Sequence, residues 1–191
     1  ALAEHRPHMA TVLDLERHDQ LDEVLSWATE AAQHVQTVII IPKAHGVIAE
    51  LPRTIGGATV RLGYSVPTRY GGTTVPLHEF EGWPVHLLGG SPEKQMKLWR
   101  KLDVWSADTN YTKRMAQSGY FWSDVRWSKI RYWPQLSESG DTATVTDVPY
   151  EAFRRSCINI MAAWREVVQQ PHVGLPAERQ LALLDARAID G

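Results

Sequence analysis

The sequence predicts an α/β fold, a partial TIM-like (β/α) barrel with about five parallel strands and a C-terminal helical extension. Short β-branched or apolar runs recur between residues 10 and 107, helical segments separate several of them, and no low-complexity linker interrupts the series. Such alternation is typical of βα units and a parallel sheet. A complete (β/α)₈ barrel needs eight strands and about 250 residues. The 191 residues of this chain therefore predict part of a barrel.

Five segments carry the character of strands. Each is a short run that closes at a proline, a glycine pair or an acidic residue. The run at 37–41 consists entirely of β-branched residues, which is typical of a strand buried on both faces of a parallel sheet. The predicted strands are 10–14, 37–41, 59–66, 84–88 and 103–107.

Helices are predicted where apolar residues recur at helical spacing. Asp19 is the expected N-cap of the first helix, and Ser91 with Pro92 suits the N-cap and first position of the second. A short helix is expected at 111–117, a long one at 150–168 and a last one at about 177–186. The predicted apolar face of the long helix consists of Phe153, Cys157, Ile160, Met161, Trp164 and Val168.

The alternation of strands and helices ends near residue 121. We therefore expect a partial βα-barrel domain over 9–121, and a tryptophan-rich segment with C-terminal helices over 122–191. Basic residues are interleaved with the tryptophans, as in surfaces that stack bases and contact phosphates. Core packing of the indole rings is the alternative. The tryptophans concerned are Trp122, Trp127 and Trp133.

Composition excludes several classes of function. The 20 basic and 22 acidic residues give a net charge of −2, so nucleic acid could be held only by a local patch. A single cysteine, Cys157, excludes an internal disulfide and a cysteine-based zinc site, and no cofactor or metal is expected. The longest apolar run is too short to cross a bilayer and no signal peptide is visible. We expect a cytoplasmic protein without a membrane partner.

Candidate site residues follow the predicted strands, because ligands of parallel α/β folds bind beyond the carboxyl ends of the strands. Asp108 is a candidate covalent nucleophile at a sugar carbon, or else the N-cap of the helix after it. Asp14 is a candidate acceptor for the N–H edge of a purine-like base, or else an acid before a helix.

Two glycine-containing segments complete the candidate site. Gly89, Gly90 and Ser91 could hold an anion at a helix N-terminus, or form only a tight strand-to-helix turn. Gly63 with Tyr64 and Ser65 could let the backbone approach a base under an aromatic lid, whereas the alternative is a glycine that allows strand packing.

Residues 85–121 resemble the last two βα units of the tRNA-guanine transglycosylase superfamily. The resemblance lies in His86-Leu87-Leu88-Gly89-Gly90-Ser91-Pro92, in Asp103-Val104-Trp105-Ser106-Ala107-Asp108, and in the stretch from Arg114 to Gly119-Tyr120. Upstream, Thr11-Val12-Leu13-Asp14 is similar to the family strand that ends in a base-recognising aspartate. Leu62-Gly63-Tyr64-Ser65-Val66 is similar to a family strand whose backbone touches the base.

The resemblance implies a base-exchange reaction. Asp108 would attack the anomeric carbon, expel guanine and form a covalent glycosyl intermediate that a 7-deazapurine base then displaces. An offset of two residues lets Ser106 compete with Asp108 for the nucleophile position. The base would be bound by Asp14, Gly63, Tyr64 and Ser65, and the nucleic acid by Gly89, Gly90, Ser91 and Arg114.

Two family features have no counterpart here: the early-strand Asp-Ser-Gly-Gly-Phe segment with the general base, and the Cys/His zinc site. The sequence therefore resembles the divergent phage and bacterial branch that places 7-deazaguanine bases in DNA, with DNA or tRNA as the nucleic-acid partner. The missing early strands imply the C-terminal half of a barrel, completed by an upstream polypeptide or a partner chain.

Two other functions compete with base exchange. The half-barrel could bind nucleic acid or a base without catalysis. Alternatively, the chain could be an unrelated barrel-type, glycosidase-like enzyme in which Asp108 and Asp14 form the acid/base pair.

Overall fold

A computed structural model of the chain describes residues 2–123, 129–131 and 148–170. Three short 3₁₀ helices, at His18–Gln20, Val47–Glu50 and Leu77–Phe80, lie in the connections of the sheet. The other elements, in chain order, are α1 (Leu2–His5), β1 (Met9–Leu15), α2 (Leu21–Ala32), β2 (Thr37–Pro42), β3 (Thr54–Ile55), β4 (Ala58–Ser65), β5 (Pro84–Leu88), α3 (Pro92–Trp99), β6 (Asp103–Asp108), α4 (Tyr111–Gln117), β7 (Tyr120–Trp122), β8 (Lys129–Arg131) and α5 (Val148–Gln169).

Five parallel strands form the sheet in the order β1-β2-β4-β5-β6, with β3 added antiparallel to β4. The predicted α/β class, the parallel sheet and the C-terminal helix are therefore confirmed. The strand order follows the chain order, whereas a doubly wound sheet reverses its order at a switch point. All five carboxyl ends consequently lie along one edge of the sheet.

Hydrophobic burial explains why the central strands form where they do. All six residues of β2 are buried, as the unbroken β-branched run at 37–41 predicts. Against β1 and β2 packs α2, whose buried side chains recur at helical spacing. These side chains are Val24, Ala28, Ala31 and Ala32.

Two local features differ from the sequence prediction. Asp19 is not the N-cap of α2: it lies in a 3₁₀ turn, where its carboxylate accepts a hydrogen bond from Arg17 Nε at 3.0 Å, and Gln20 occupies the cap position. The short strand β3 was not predicted, because two residues carry no periodicity. It pairs with β4 across Gly56 and Gly57, which both have positive φ.

The chain divides into two compact units. The first comprises described residues of 1–90 and 101–108 and holds the whole parallel sheet with α2. The second comprises described residues of 91–100 and 109–191 and holds α3, α4, the antiparallel strands β7 and β8, and α5.

In the second unit, both small and larger side chains line the buried face of α5. Ser156 and Ala163 are fully buried and Ile160 of the predicted apolar face is buried as well, whereas Met161 of that face is 57% exposed. The difference arises because the small residues let β7 approach closely: Trp122 N donates to Ser156 Oγ at 3.0 Å, and Asn159 Nδ2 donates to Trp122 O at 2.8 Å. Trp122 is 0% exposed and therefore a core residue. Trp127, Trp133 and the predicted helix at 177–186 lie outside the described residues.

The first turns of α5 carry an acid-sensitive ion pair. Glu151 accepts hydrogen bonds from Arg154 and Arg155, which lower the pKa of its carboxyl from 4.5 to about 2. A lowered native pKa contributes stability above pH 4.5 that is lost as the pH falls towards 2. We expect the stability difference between the wild type and Glu151→Gln to shrink over this interval, as measured by urea unfolding at pH 6, 4 and 2.5. A difference that stays constant with pH would contradict the assignment.

Across the part of the chain that the structure describes, no helix combines the length and the apolar character needed to cross a membrane.

Candidate functional site

The carboxyl ends of β5 and β6 bring together a serine, a histidine and an aspartate. An irregularity leaves Trp105 as an extra residue in β6, so that His86 of β5 lies opposite Ser106, and Leu88 opposite Asp108. The His86 side chain is 5% exposed. Its Nδ1 lies 2.7 Å from Ser106 Oγ, and its Nε2 lies 3.7 Å from Asp108 Oδ2.

The Asp108 carboxylate is held at the rim and remains accessible. Its side chain is 62% exposed, and its Oδ1 accepts a hydrogen bond from Gly89 N at 3.0 Å. The interaction with His86 is the largest cause that lowers the pKa of Asp108; partial burial opposes this shift, and the Gly89 amide reinforces it. These contacts favour the ionised form of a carboxyl that is already ionised at neutral pH.

This cluster and a serine-hydrolase triad expose different residues to the solvent. In such a triad the serine faces the substrate and the aspartate is buried behind the histidine. Here Ser106 is half-buried against a buried His86, and the exposed member is Asp108. The arrangement can thus present a carboxylate as nucleophile or base, while the serine orients the imidazole ring.

Sequence reasoning named Asp108 and Ser106 but missed His86. The available signal was a polar residue inside the apolar run of β5. The structure also resolves the alternative interpretation of Asp108 as a helix cap: the N-cap of α4 is Asn110, and the Asp108 carboxylate bonds to Gly89 instead.

The turn after β5 requires glycine at both positions. Gly89 and Gly90 have φ of +68° and +77°, and a Cβ on Gly90 would lie 2.6 Å from Val66 Cγ1. Ser91 is the N-cap of α3, as predicted, although its side chain makes no capping hydrogen bond. Arg114 is exposed on α4; like Ser91, it belongs to the second unit.

Asp14 lies at the carboxyl end of β1, where its carboxylate forms an ion pair with Lys43. Because the strands are parallel, Asp14 and Asp108 occupy the same edge of the sheet, but on its two outer strands. Asp14 lines an open hollow of about 460 Å³, and Asp108 is not among the lining residues. That hollow is lined by Thr11, Val12, Leu13, Asp14, Gln20, Glu23, Val24 and Ile41.

The residues predicted to line a base pocket on β4 are mostly packed. A Cβ on Gly63 would lie 2.7 Å from both Ile41 Cγ1 and Leu88 Cδ1. Tyr64 is 6% exposed and packs edge-on against Phe80, with ring centroids 5.1 Å apart; burial raises the pKa of its hydroxyl. Ser65 is half-buried and accepts a hydrogen bond from Thr73 N through its carbonyl oxygen.

We expect Gly63→Ala to destabilise the fold by about 1–3 kcal/mol, because the added methyl overpacks the space between Ile41 and Leu88. Urea unfolding would measure the change. Ser65→Ala, which removes atoms from the same strand, is the control. A loss below about 0.5 kcal/mol for Gly63→Ala, the range of neutral surface substitutions, would show that the neighbouring side chains yield freely.

Within the described residues, no group of three or more histidine, cysteine, aspartate or glutamate side chains is arranged to hold a metal ion. Comparison with curated proteins and with solved structures finds no match. Comparison with protein families matches residues 1–165 to DUF6610, a family of unknown function. Because the match covers most of the 191 residues, this chain belongs to the DUF6610 family.

Proposed function

We propose that this chain is the C-terminal half of a nucleic-acid base-exchange transglycosylase in which Asp108 is the nucleophile. The observation that carries the proposal is an exposed carboxylate at the carboxyl edge of a parallel sheet, held in place by the Gly89 amide beside a buried His86. A carboxylate nucleophile must be ionised and must be accessible to the reacting carbon. Asp108 is an exposed carboxylate and therefore suits this role.

The reaction proceeds by two displacements at the anomeric carbon. Asp108 Oδ2 forms a bond to this carbon while the bond to guanine breaks, and the bonding electrons leave with guanine, which takes up a proton. A ring nitrogen of the incoming 7-deazapurine, losing its proton, then displaces the carboxylate. Each displacement inverts the configuration, so the product retains it. His86 and Ser106 are positioning residues that hold the carboxylate.

Sheet geometry supports a partial TIM-like barrel as the scaffold. The strand order follows the chain order, as in a βα barrel. His8 precedes β1 and Trp105 lies in β6, and their ring centroids are 6.4 Å apart. In a flat sheet, four strand spacings would separate the backbones of these strands by about 19 Å, more than the two side chains would readily bridge, which supports a curved sheet. An upstream polypeptide or a partner chain would pair with the outer strands.

The remaining site assignments belong to the same proposal. Asp14 would accept hydrogen bonds from the base edge, which requires the base to replace Lys43 as its partner. The main chain at Gly89 and Gly90 would face the nucleic-acid backbone. Contacts of Ser91 and Arg114, which belong to the second unit, with the nucleic acid stay predictions from the resemblance.

A covalent trapping assay tests the proposal. The full-length protein is incubated with guanine-containing DNA, or with tRNA, in the presence of a 7-deazaguanine base, and then resolved on a denaturing gel. We expect a protein–nucleic acid adduct and released guanine, with one of the two nucleic acids preferred. Absence of both products with DNA and with tRNA would overturn the proposal.

Other outcomes of this assay identify the competing functions. Nucleic-acid binding without guanine release would indicate a binding half-barrel. Hydrolysis of simple glycosides without any effect on nucleic acids would indicate a glycosidase-like enzyme.

A further inference from the structure

The loop after β4 ends in a two-residue turn with Arg69 and Tyr70 at its tip. Thr68 and Gly71 form an antiparallel bridge below the tip, with Thr68 N donating to Gly71 O at 2.8 Å. The Thr68 hydroxyl also accepts from Tyr70 N at 3.1 Å and donates to Gly71 O at 3.2 Å. Thr68 and Gly71 therefore build the turn, and the side chains of Arg69 and Tyr70 are not needed to close it.

The base of this loop is fixed to the sheet. Gly72 has a φ of +144°, and a Cβ there would lie 2.5 Å from Pro67 Cα, so only glycine fits this return of the chain. Thr73 is buried; its hydroxyl donates to Pro42 O at 3.1 Å and its amide donates to Ser65 O at 2.9 Å. The tip is thus carried by a loop whose base is fixed to the sheet.

The tip displays an aromatic ring and a cation to solvent. Tyr70 is 69% exposed. The guanidinium carbon of Arg69 lies 4.6 Å from the centroid of the Tyr70 ring, and its Nη2 bonds to the Tyr70 hydroxyl. An exposed aromatic ring beside an arginine is the combination with which proteins bind single-stranded nucleic acids: the ring stacks on a base, and the guanidinium contacts a phosphate or stacks.

This tip stands on the same edge of the sheet as Asp108. Val66, which begins the loop, donates its amide hydrogen to Leu88 O at 3.0 Å, and Leu88 pairs in register with Asp108. Two strand spacings, about 10 Å, separate β4 from β6. A few nucleotides of a strand span this distance at about 3.4 Å each.

We infer that the Arg69–Tyr70 tip binds the nucleic-acid strand beside the nucleotide that reacts at Asp108, with Tyr70 stacked on a neighbouring base and Arg69 at a phosphate. The inference rests on the proposed function, since it assigns a further substrate contact to the sheet edge at which Asp108 lies. It favours an unpaired segment, because only unstacked bases offer a face to an aromatic side chain.

Fluorescence anisotropy with a labelled single-stranded DNA and with an RNA hairpin tests this contact. We expect Tyr70→Ala to weaken binding about tenfold and Tyr70→Phe to retain it, because phenylalanine keeps the stacking ring. Arg69→Ala should reduce the slope of log affinity against log salt by about 0.7, the value of one phosphate contact on a single strand. Tyr150→Ala and Arg165→Ala, exposed residues of α5, are the matched controls.

The outcomes separate this inference from the proposed function. If the protein forms the adduct while Tyr70→Ala and Arg69→Ala bind both probes as the wild type does, only the inference is overturned. If the controls weaken binding equally, the contact is not specific to the tip, and the inference is again overturned. If the wild type neither binds the probes nor forms an adduct, the proposed function fails and the inference fails with it.

Discussion

Replacing Asp108 with asparagine should lower base exchange by at least about a thousandfold and abolish the covalent adduct, because a neutral amide cannot form the glycosyl ester. Asparagine has nearly the same shape and keeps an oxygen that can accept from Gly89 N. Since the side chain is 62% exposed, we expect a stability change within about 0.5 kcal/mol. Guanine release, adduct formation and the midpoint of thermal unfolding are measured for the variant and the wild type.

Asp22→Asn is the matched control, since it removes an exposed carboxylate from α2 without touching the rim. It should leave base exchange at the wild-type rate. An Asp108→Asn protein that folds normally and retains more than about a tenth of the activity would exclude Asp108 as nucleophile. The half-buried Ser106 would then be the next residue to replace.

The second large effect is expected from Trp122→Ala. The indole is 0% exposed, and removal of a buried tryptophan costs about 3–5 kcal/mol through lost burial and the cavity that remains. For a chain of this size, the thermal midpoint should fall by roughly 6–20 °C. Differential scanning calorimetry measures the shift.

Trp27→Ala, which truncates a half-exposed tryptophan on α2, serves as the control and should shift the midpoint by much less. Equal shifts for the two variants would mean that Trp122 does not contribute more than a surface ring. That result would contradict its place in the core of the second unit.

The β-branched and apolar runs, and the proline, glycine and acidic residues that close them, predicted the five strands of the parallel sheet. The five predicted strands agree with β1, β2, β4, β5 and β6 to within one residue at every end. The reason is clearest for β2, because a parallel strand buried on both faces forms a continuous run without charged residues. The two-residue strand β3 contains no such run.

Helix faces and caps were predicted less well, because they depend on tertiary packing. The apolar residues of α5 suggested one face, and its Ile160 is indeed buried. The helix also buries Ala152, Ser156 and Ala163, because small side chains let β7 come close. Asp19 is a favourable N-cap residue, but the chain forms a 3₁₀ turn first and moves the cap to Gln20.

The sequence predicted the exposed residue of the candidate site, Asp108, but not the buried one, His86. Asp108 was recognisable as a carboxylate after a strand. His86 was not, since a lone histidine in an apolar strand gains meaning only from what lies opposite it in the neighbouring strand. Pairing between strands distant in sequence cannot be deduced from the periodicity of either strand alone.

The additional residue at Trp105 has a consequence for related sequences. A bulge leaves one residue outside the ladder, and the residues beyond it keep their partners because the neighbouring strand skips that residue. With Trp105 deleted, Ser106 would follow Val104 directly and would still lie opposite His86. A relative that keeps Trp105 but pairs without the bulge would instead place the indole opposite His86 and turn Ser106 to the other face of the sheet, so the pairing pattern is as informative as the residue types.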